Sequence, residues 1–216
     1  MKTKIKQSLK WIFIGRQIQF LLSIVFQLLI MRVLTPRIYG VYALAISSLG
    51  FIAFFVSFGF PHSIIQFQKL KDIEKNVLSL SILQGVVYIC LTLPGALIVN
   101  AIYGSPVTGI YLLLIPAHSV SFISLVFQFA IERDLEFKKT EVVLSVVKLF
   151  SVSTTLLMAL GGWGIYSLIA GFYVKTILEG MIFFRFSRWS YGIGWNRDVI
   201  RTIVVYASKR FLARGC

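Results

Sequence analysis

The sequence predicts an all-α, polytopic membrane protein with six transmembrane helices, and composition is the first reason. Its 216 residues are 57% hydrophobic and only 14% charged, and their mean hydropathy is +0.84. A soluble domain carries about 25% charged residues because a polar surface must cover its apolar core. This chain has too few polar residues for such a surface, so lipid is expected to cover it.

Six apolar runs are the second reason. They extend from about Trp11 to Met31, Val41 to Phe60, Val77 to Val99, Val107 to Ile131, Val142 to Leu160 and Ile165 to Phe186. Each is close to the roughly 20 residues that a helix needs to cross the hydrocarbon core. The first run resembles a secretory signal, but it is too long and no small-residue cleavage site follows. We therefore interpret it as the first permanent membrane helix.

The distribution of basic residues is the third reason, and it predicts the orientation. When the segments between the runs are assigned alternately to two sides, and Arg185 at the end of the last run is counted with the tail, one side carries seventeen Lys and Arg residues and the other carries two. Basic residues accumulate on the cytoplasmic side, so both termini are predicted to be cytoplasmic. The same asymmetry accounts for the net charge of +14, and nucleic-acid binding is not predicted.

The chain is predicted to form one six-helix lobe over residues 1–195. Its outer connections are short and rich in Gly and Pro, which leaves no room there for a folded domain. Asn196 is a candidate N-cap for a further helix. We expect residues 196–216 to form either a cytoplasmic amphipathic helix on the membrane surface or the truncated start of a second lobe. Cys90 and Cys216 fall in different environments, so no disulfide is expected.

Motifs for enzyme chemistry are missing from the sequence. There is no zinc-binding His-Glu-x-x-His, no phosphate-binding Gly-x-x-x-x-Gly-Lys and no cluster of Cys and His at ligand spacing. His62 and His118 are isolated, and a lone His in an apolar helix is more often a packing residue than a ligand. We therefore predict no enzymatic activity, no metal and no cofactor.

Polar residues recur at helical spacing within several spans. In the first span Arg16, Gln19, Ser23 and Gln27 share one face, because steps of three and four residues return to the same side of a helix. Similar faces are predicted for Ser81, Gln84, Tyr88 and Thr92, for Ser145, Lys148, Ser151 and Thr155, and for Gly171, Lys175 and Glu179. Such faces either join helices through small and hydroxyl residues or line an aqueous cavity. On the cavity interpretation, Ser151 is water-accessible together with Gln19 and Ser23.

The charged residues within the spans favour the cavity interpretation, since an ionised side chain in the membrane is costly unless it is paired or hydrated. Lys175 and Glu179 lie four residues apart and are predicted to pair. Arg16 and Lys148 have no carboxylate at such spacing in their own helices, although both could snorkel to the membrane edge. A cavity with uncompensated positive charge would suit an anionic substrate. The predicted substrate-binding residues are Arg16, Gln19, Ser23, Gln27, Lys148 and Lys175, and Glu179 is a candidate for ion coupling.

Two stretches resemble a known family. Residues 32–43 (RVLTPRIYGVYA), followed by Phe58-Gly59-Phe60 and Ile64-Ile65-Gln66, resemble the Arg-x-Leu-x-Pro-x-x-aromatic-Gly pattern after the first helix of Wzx-type oligosaccharide flippases and related polysaccharide exporters. Residues 132–138 (ERDLEFK), with residues 159–164 (ALGGWG) and Ser167-Leu168, are similar to the inner loop and the turn between the fifth and sixth helices of the same family. Both stretches occur in the expected order on six predicted helices.

This resemblance implies membership of the multidrug, oligosaccharidyl-lipid and polysaccharide exporter superfamily. In that fold two helical lobes face each other across a cavity and work by alternating access. The implied substrate is an undecaprenyl-diphosphate-linked oligosaccharide for polysaccharide or lipopolysaccharide biosynthesis, and the implied location is the bacterial inner membrane. The chain resembles the first lobe only, so we expect a truncated form, or a partner that is a separate second lobe or a second copy.

There are three alternatives to this interpretation. One is an inactive remnant, and another is half of an ion-coupled small-molecule exporter of the same superfamily. A membrane polymerase or ligase of the same pathway is disfavoured because such an enzyme needs a large charged outer loop, and the sequence offers none.

Overall fold

A computed structural model describes the backbone of residues 2–67, 72–187 and 192–214, and the side chains of residues 10–67, 72–187 and 192–209. Among the basic residues counted in the charge asymmetry, Lys69, Lys71 and Arg188 lie outside the described residues, and so does Cys216. Within them the chain forms eight helices: α1 (Lys2–Val33), α2 (Pro36–Val56), α3 (His62–Gln66), α4 (Ile73–Tyr103), α5 (Ser105–Arg133), α6 (Phe137–Leu160), α7 (Ile165–Phe186) and α8 (Arg197–Arg214).

The predicted fold class is confirmed, because six of these helices are long and apolar enough to cross a membrane. These helices are α1, α2, α4, α5, α6 and α7. The second span ends earlier than predicted, at Val56 instead of Phe60. Gly59 has a positive φ of 73° and Pro61 lies two residues later, so the chain turns into the short α3 although Phe58 and Phe60 continue the apolar run.

The connection between α4 and α5 is shorter than the predicted loop from Asn100 to Pro106. Gly104 alone separates the two helices, and its φ of 80° is one that side chains disfavour. Pro106 lies in the first turn of α5, where its missing N–H removes no helical hydrogen bond. Helices α4 and α5 therefore form a tight antiparallel hairpin.

Helix α5 is central and helix α1 is peripheral. Helix α5 packs against α2, α3, α4, α6 and α7, and Tyr111, Leu114 and Val126 on it are fully buried. Helix α1 packs chiefly on α6, and only 6% of its most apolar window is buried, against 56% for α5. Most of the surface of α1 therefore remains open to lipid or to another protein surface.

Helix α8 is docked onto the bundle. The side-chain oxygen of Asn196 accepts hydrogen bonds from the backbone N–H groups of Asp198 and Val199, so the predicted N-cap is confirmed. The oxygen of the Asn76 side chain accepts from the Asn196 N–H at 2.7 Å, and Ile203 of α8 is fully buried. Helix α8 packs on α3 and α4. Its position on the membrane surface remains a prediction.

Candidate functional site

The polar face of α4 is a packing surface. Ser81, Gln84, Tyr88 and Thr92 are all buried. The Gln84 side-chain amide donates to the Val56 carbonyl at 2.8 Å, and the Tyr88 hydroxyl donates to the Leu49 carbonyl at 3.4 Å. Both carbonyls belong to α2, so this face joins two helices and leaves nothing for a substrate.

The polar face of α6 is divided between two neighbours. Ser151 is buried, and its hydroxyl donates to the Gly171 carbonyl of α7 at 2.8 Å. A Cβ atom added at Gly171 would overlap the Thr155 hydroxyl and lie 3.1 Å from the Ser151 carbonyl oxygen. The prediction that Ser151 faces water is therefore wrong, because the absence of a side chain at Gly171 lets α7 close over it.

Helix α1 meets the other side of α6 through Gly15, Gln19 and Glu141. A Cβ atom added at Gly15 would lie 2.6 Å from Cβ of Glu141 and 2.5 Å from its carboxylate. The Gln19 side-chain amide donates to that carboxylate at 2.9 Å. Glu141 is buried, with 8% of its surface exposed. This acidic residue comes from a helix that begins more than a hundred residues after α1.

Arg16 belongs to the same cluster. Its guanidinium interacts electrostatically with the carboxylates of Glu141 and of Glu132 on α5. The side-chain amide of Gln128 donates to Glu132 at 2.7 Å. Arg16 was expected to be uncompensated because no carboxylate stands near it in α1. That expectation is wrong, since the opposing charges come from two other helices.

Lys148, Lys175 and Glu179 form a second cluster, farther from the basic end of the bundle. The Lys175 ammonium lies 3.9 Å from the Glu179 carboxylate, so the predicted pair is present. Lys148 on α6 interacts electrostatically with both of these residues. His118 on α5 interacts with Lys175 as well, and its ring stacks on Tyr88 at a centroid distance of 5.3 Å. His118 is thus a packing residue beside the charged group.

Taken together, the two clusters hold equal numbers of opposite charges, but the first has one carboxylate in excess and the second one cation in excess. Three basic side chains, Arg16, Lys148 and Lys175, stand with three acidic ones, Glu132, Glu141 and Glu179. The expectation of uncompensated positive charge is therefore wrong at Arg16, whereas Lys148 and Lys175 share the single carboxylate of Glu179. The sequence analysis could have found the acidic partners only by treating each carboxylate at the end of an apolar run as a possible partner of Arg16.

Two of the basic members, Arg16 and Lys175, are more exposed than the acidic ones. Arg16 and Gln27 are exposed, and 47% of the Lys175 side chain is exposed, against 17% for Glu179. Gln19 and Ser23 are half-buried, and the Ser23 hydroxyl donates to the Gln19 carbonyl within α1. Within the described part of the chain, no three His, Cys, Asp or Glu side chains converge as metal ligands would.

Six hydrophobic helices carrying a charged, partly open face define this chain as a multi-pass membrane protein. A family model described as "Polysaccharide biosynthesis protein" matches residues 29–214. Because this match covers most of the 216 residues, the chain belongs to that family. It extends from the end of α1 through α8, so the docked α8 lies within the matched region. Comparisons with curated proteins and with solved structures gave no significant match.

Proposed function

We propose that this chain is one lobe of a flippase that moves an undecaprenyl-diphosphate-linked oligosaccharide across the bacterial inner membrane. Membership of a polysaccharide biosynthesis family supports the pathway. The observation that carries the proposal is the arrangement of the two clusters, in which exposed Arg16 and Lys175 interact electrostatically with less exposed carboxylates.

The exposed cations suit a diphosphate. A guanidinium can bind two phosphate oxygens at once, and an ammonium binds phosphate as a point charge. Glu141 and Glu132 would hold Arg16 in place before the substrate arrives, and Glu179 would do the same for Lys175 with Lys148 beside it. Gln19, Ser23 and the exposed Gln27 supply donors and acceptors for sugar hydroxyls. The proposed activity is transport, with no bond made or broken.

The polar face also requires a partner. An arginine at the centre of a membrane helix costs about 2.5–3.5 kcal/mol when it faces lipid. Arg16 is exposed in the isolated lobe, so a protein surface should cover its side of α1. We propose that the cover is a second six-helix lobe or a second copy of this chain, as in an alternating-access exporter.

The proposed orientation places both termini in the cytoplasm. Reporter domains fused after Lys75, Lys139 and Arg188 should all report a cytoplasmic location. A periplasmic signal at any of these positions would contradict the six-span topology.

A second candidate function is ion-coupled export of a small molecule. Glu179 supports it, because this carboxylate is largely shielded and stands between two lysines that compete for it. Glu179→Gln would then abolish the dependence of transport on the ion gradient. In a flippase that uses Glu179 only to position Lys175, this variant would weaken substrate binding and leave the gradient dependence unchanged.

Binding is the direct test of the proposed function. The purified chain should bind undecaprenyl diphosphate more tightly than undecaprenol, since only the diphosphate meets Arg16 and Lys175. Arg16→Gln and Lys175→Gln should each weaken binding about tenfold to a hundredfold, as expected for a lost charge-assisted hydrogen bond. Arg37→Gln, an equal change of charge in the first turn of α2, is the matched control. Equal binding of both lipids would refute the proposal.

A further inference from the structure

An apolar groove lies between the first half of α6 and the end of α7. Its walls are Val142, Val143 and Val146 of α6 and Ile182 and Phe186 of α7, and its volume is about 580 Å³. Ligand sites in proteins have volumes of roughly 300–1,000 Å³ and mostly apolar walls. In a membrane helix pair, the ligand that fits such walls is a lipid acyl chain.

Two lysines stand at one end of the groove. Lys138 and Lys139 line it at the first turn of α6, and both are exposed. The Lys138 ammonium lies 4.7 Å from the centre of the Trp11 ring. Tryptophan is enriched where the hydrocarbon meets the headgroups, so this contact places the lysines at headgroup depth.

The local charge favours an anion. The first turn of α6 contains no acidic residue and has no side-chain cap, so its free N–H groups add to the positive potential. Glu136 opposes this, because its carboxylate pairs with Lys139 at 2.6 Å. Lys138 faces the uncharged Trp11 ring, so this contact does not cancel its charge. The side chains of Glu136, Lys138 and Lys139 together carry a net positive charge.

We propose that this groove is a binding site for an anionic phospholipid. One acyl chain lies along Val142 and Val146, and the phosphate is held by Lys138 and Lys139. Basic pockets between membrane helices at the cytoplasmic edge are known to hold anionic headgroups. The site does not depend on the transport proposal, since it uses none of the residues assigned there.

Native mass spectrometry of the full chain in detergent, titrated with phosphatidylglycerol and with phosphatidylcholine of the same chain length, tests the headgroup contact. One phosphatidylglycerol should bind more tightly than phosphatidylcholine. The double variant Lys138→Gln/Lys139→Gln should weaken it about 25-fold, or fivefold for each lysine. Arg201→Gln/Lys209→Gln, with the same loss of charge on α8, is the control and should leave this binding unchanged. Equal weakening by both pairs would overturn the proposal.

The acyl-chain contact is tested separately by filling the groove. Val146→Phe should displace the bound phosphatidylglycerol while the lysines remain. Val86→Phe, the same substitution at a position of α4 that is 51% exposed and outside the groove, is the matched control. Thermal melting shows that each variant is folded. A folded Val146→Phe variant that binds phosphatidylglycerol like the wild type would overturn the site. Failure of undecaprenyl diphosphate binding alone would refute only the transport proposal.

Discussion

Helix α6 packs against α1 on one side and against α7 on the other, and we call these two interfaces its seams. In each seam a glycine of the neighbouring helix allows close approach, but the side chains of α6 that meet the glycine differ. Gly15 of α1 accepts Glu141 on one side, and Gly171 of α7 accepts Ser151 and Thr155 on the other. The seam with α7 is joined by a hydroxyl-to-carbonyl hydrogen bond. At its basic end, the seam with α1 is joined by a carboxylate that also interacts with Arg16.

This difference indicates which of the two helices can move relative to α6. A hydroxyl-to-backbone bond has no charge to gain or lose, so the contact of Ser151 with Gly171 should respond little to a bound ion, although Lys148 and Glu179 bring charges to the same two helices. A carboxylate can exchange one cationic partner for another, or lose an interaction when Arg16 turns to an anion. Of these two contacts, the one between Gln19 and Glu141 is therefore the one that a ligand could open, and four predictions test this contrast.

The largest contrast is expected in accessibility. In a background with Cys90→Ala and Cys216→Ala, cysteines at Gln19, Ser23 and Gln27 should react with a water-soluble thiol reagent. A cysteine at Ser151 should stay unreactive because α7 covers it. Cysteines at Leu21 and Val25, which are exposed on the opposite side of α1, should be shielded by lipid. Equal labelling of Ser23 and Val25 would mean that Arg16 only snorkels.

The next largest effect is on stability. Gly171→Leu should lower the free energy of unfolding by about 3 kcal/mol, because a side chain there must push α7 away from Thr155. Gly50→Leu on α2, where nothing lies within 4 Å of an added Cβ, is the control. Thermal melting in detergent measures both variants. If Gly171→Leu changes the stability only slightly, then α6 and α7 pack less closely around Gly171 than the structure indicates.

A smaller effect is expected at the other seam. Glu141→Ala leaves the Gln19 amide without its partner and removes one countercharge of Arg16, which should cost about 1–3 kcal/mol. The loss should appear as weaker disulfide cross-linking between cysteines placed at Phe26 and Leu156, which pack in the same cluster at the opposite end of this seam. Glu141→Gln, which keeps an oxygen acceptor, should recover part of the cross-linking. Unchanged cross-linking in Glu141→Ala would show that apolar contacts alone hold α1.

The sequence predicted the helices better than it predicted the contacts that α6 makes with its neighbours. Six spans could be predicted because length and hydropathy depend only on neighbouring residues, and the error at Phe60 arose because Gly59 and Pro61 end α2 inside an apolar run. The partners of Arg16 could not be predicted, since Glu132 and Glu141 come from distant segments. Periodicity alone also could not separate the packed face of α4 from the open face of α1, because both repeat at the same spacing.

The smallest effect is expected for the pair of Lys175 and Glu179. The two groups are 3.9 Å apart and Lys175 is about half exposed, and such pairs contribute about 1 kcal/mol or less. Lys175→Gln should therefore leave the melting temperature nearly unchanged while it weakens binding of undecaprenyl diphosphate. A large loss of stability would assign Lys175 to the structure of the bundle instead of its open face.

The hydrogen bond between Gln19 and Glu141 also has a consequence for biogenesis. Its two residues are 122 positions apart, and a ribosome needs about 6–25 s to make that length of chain. During this interval α1 would stand in the bilayer with Arg16 lacking both carboxylates. Newly made α1 should therefore stay beside the insertion machinery until α6 emerges. Arrested nascent chains that end before residue 141 should still cross-link to that machinery through α1, and longer ones should not.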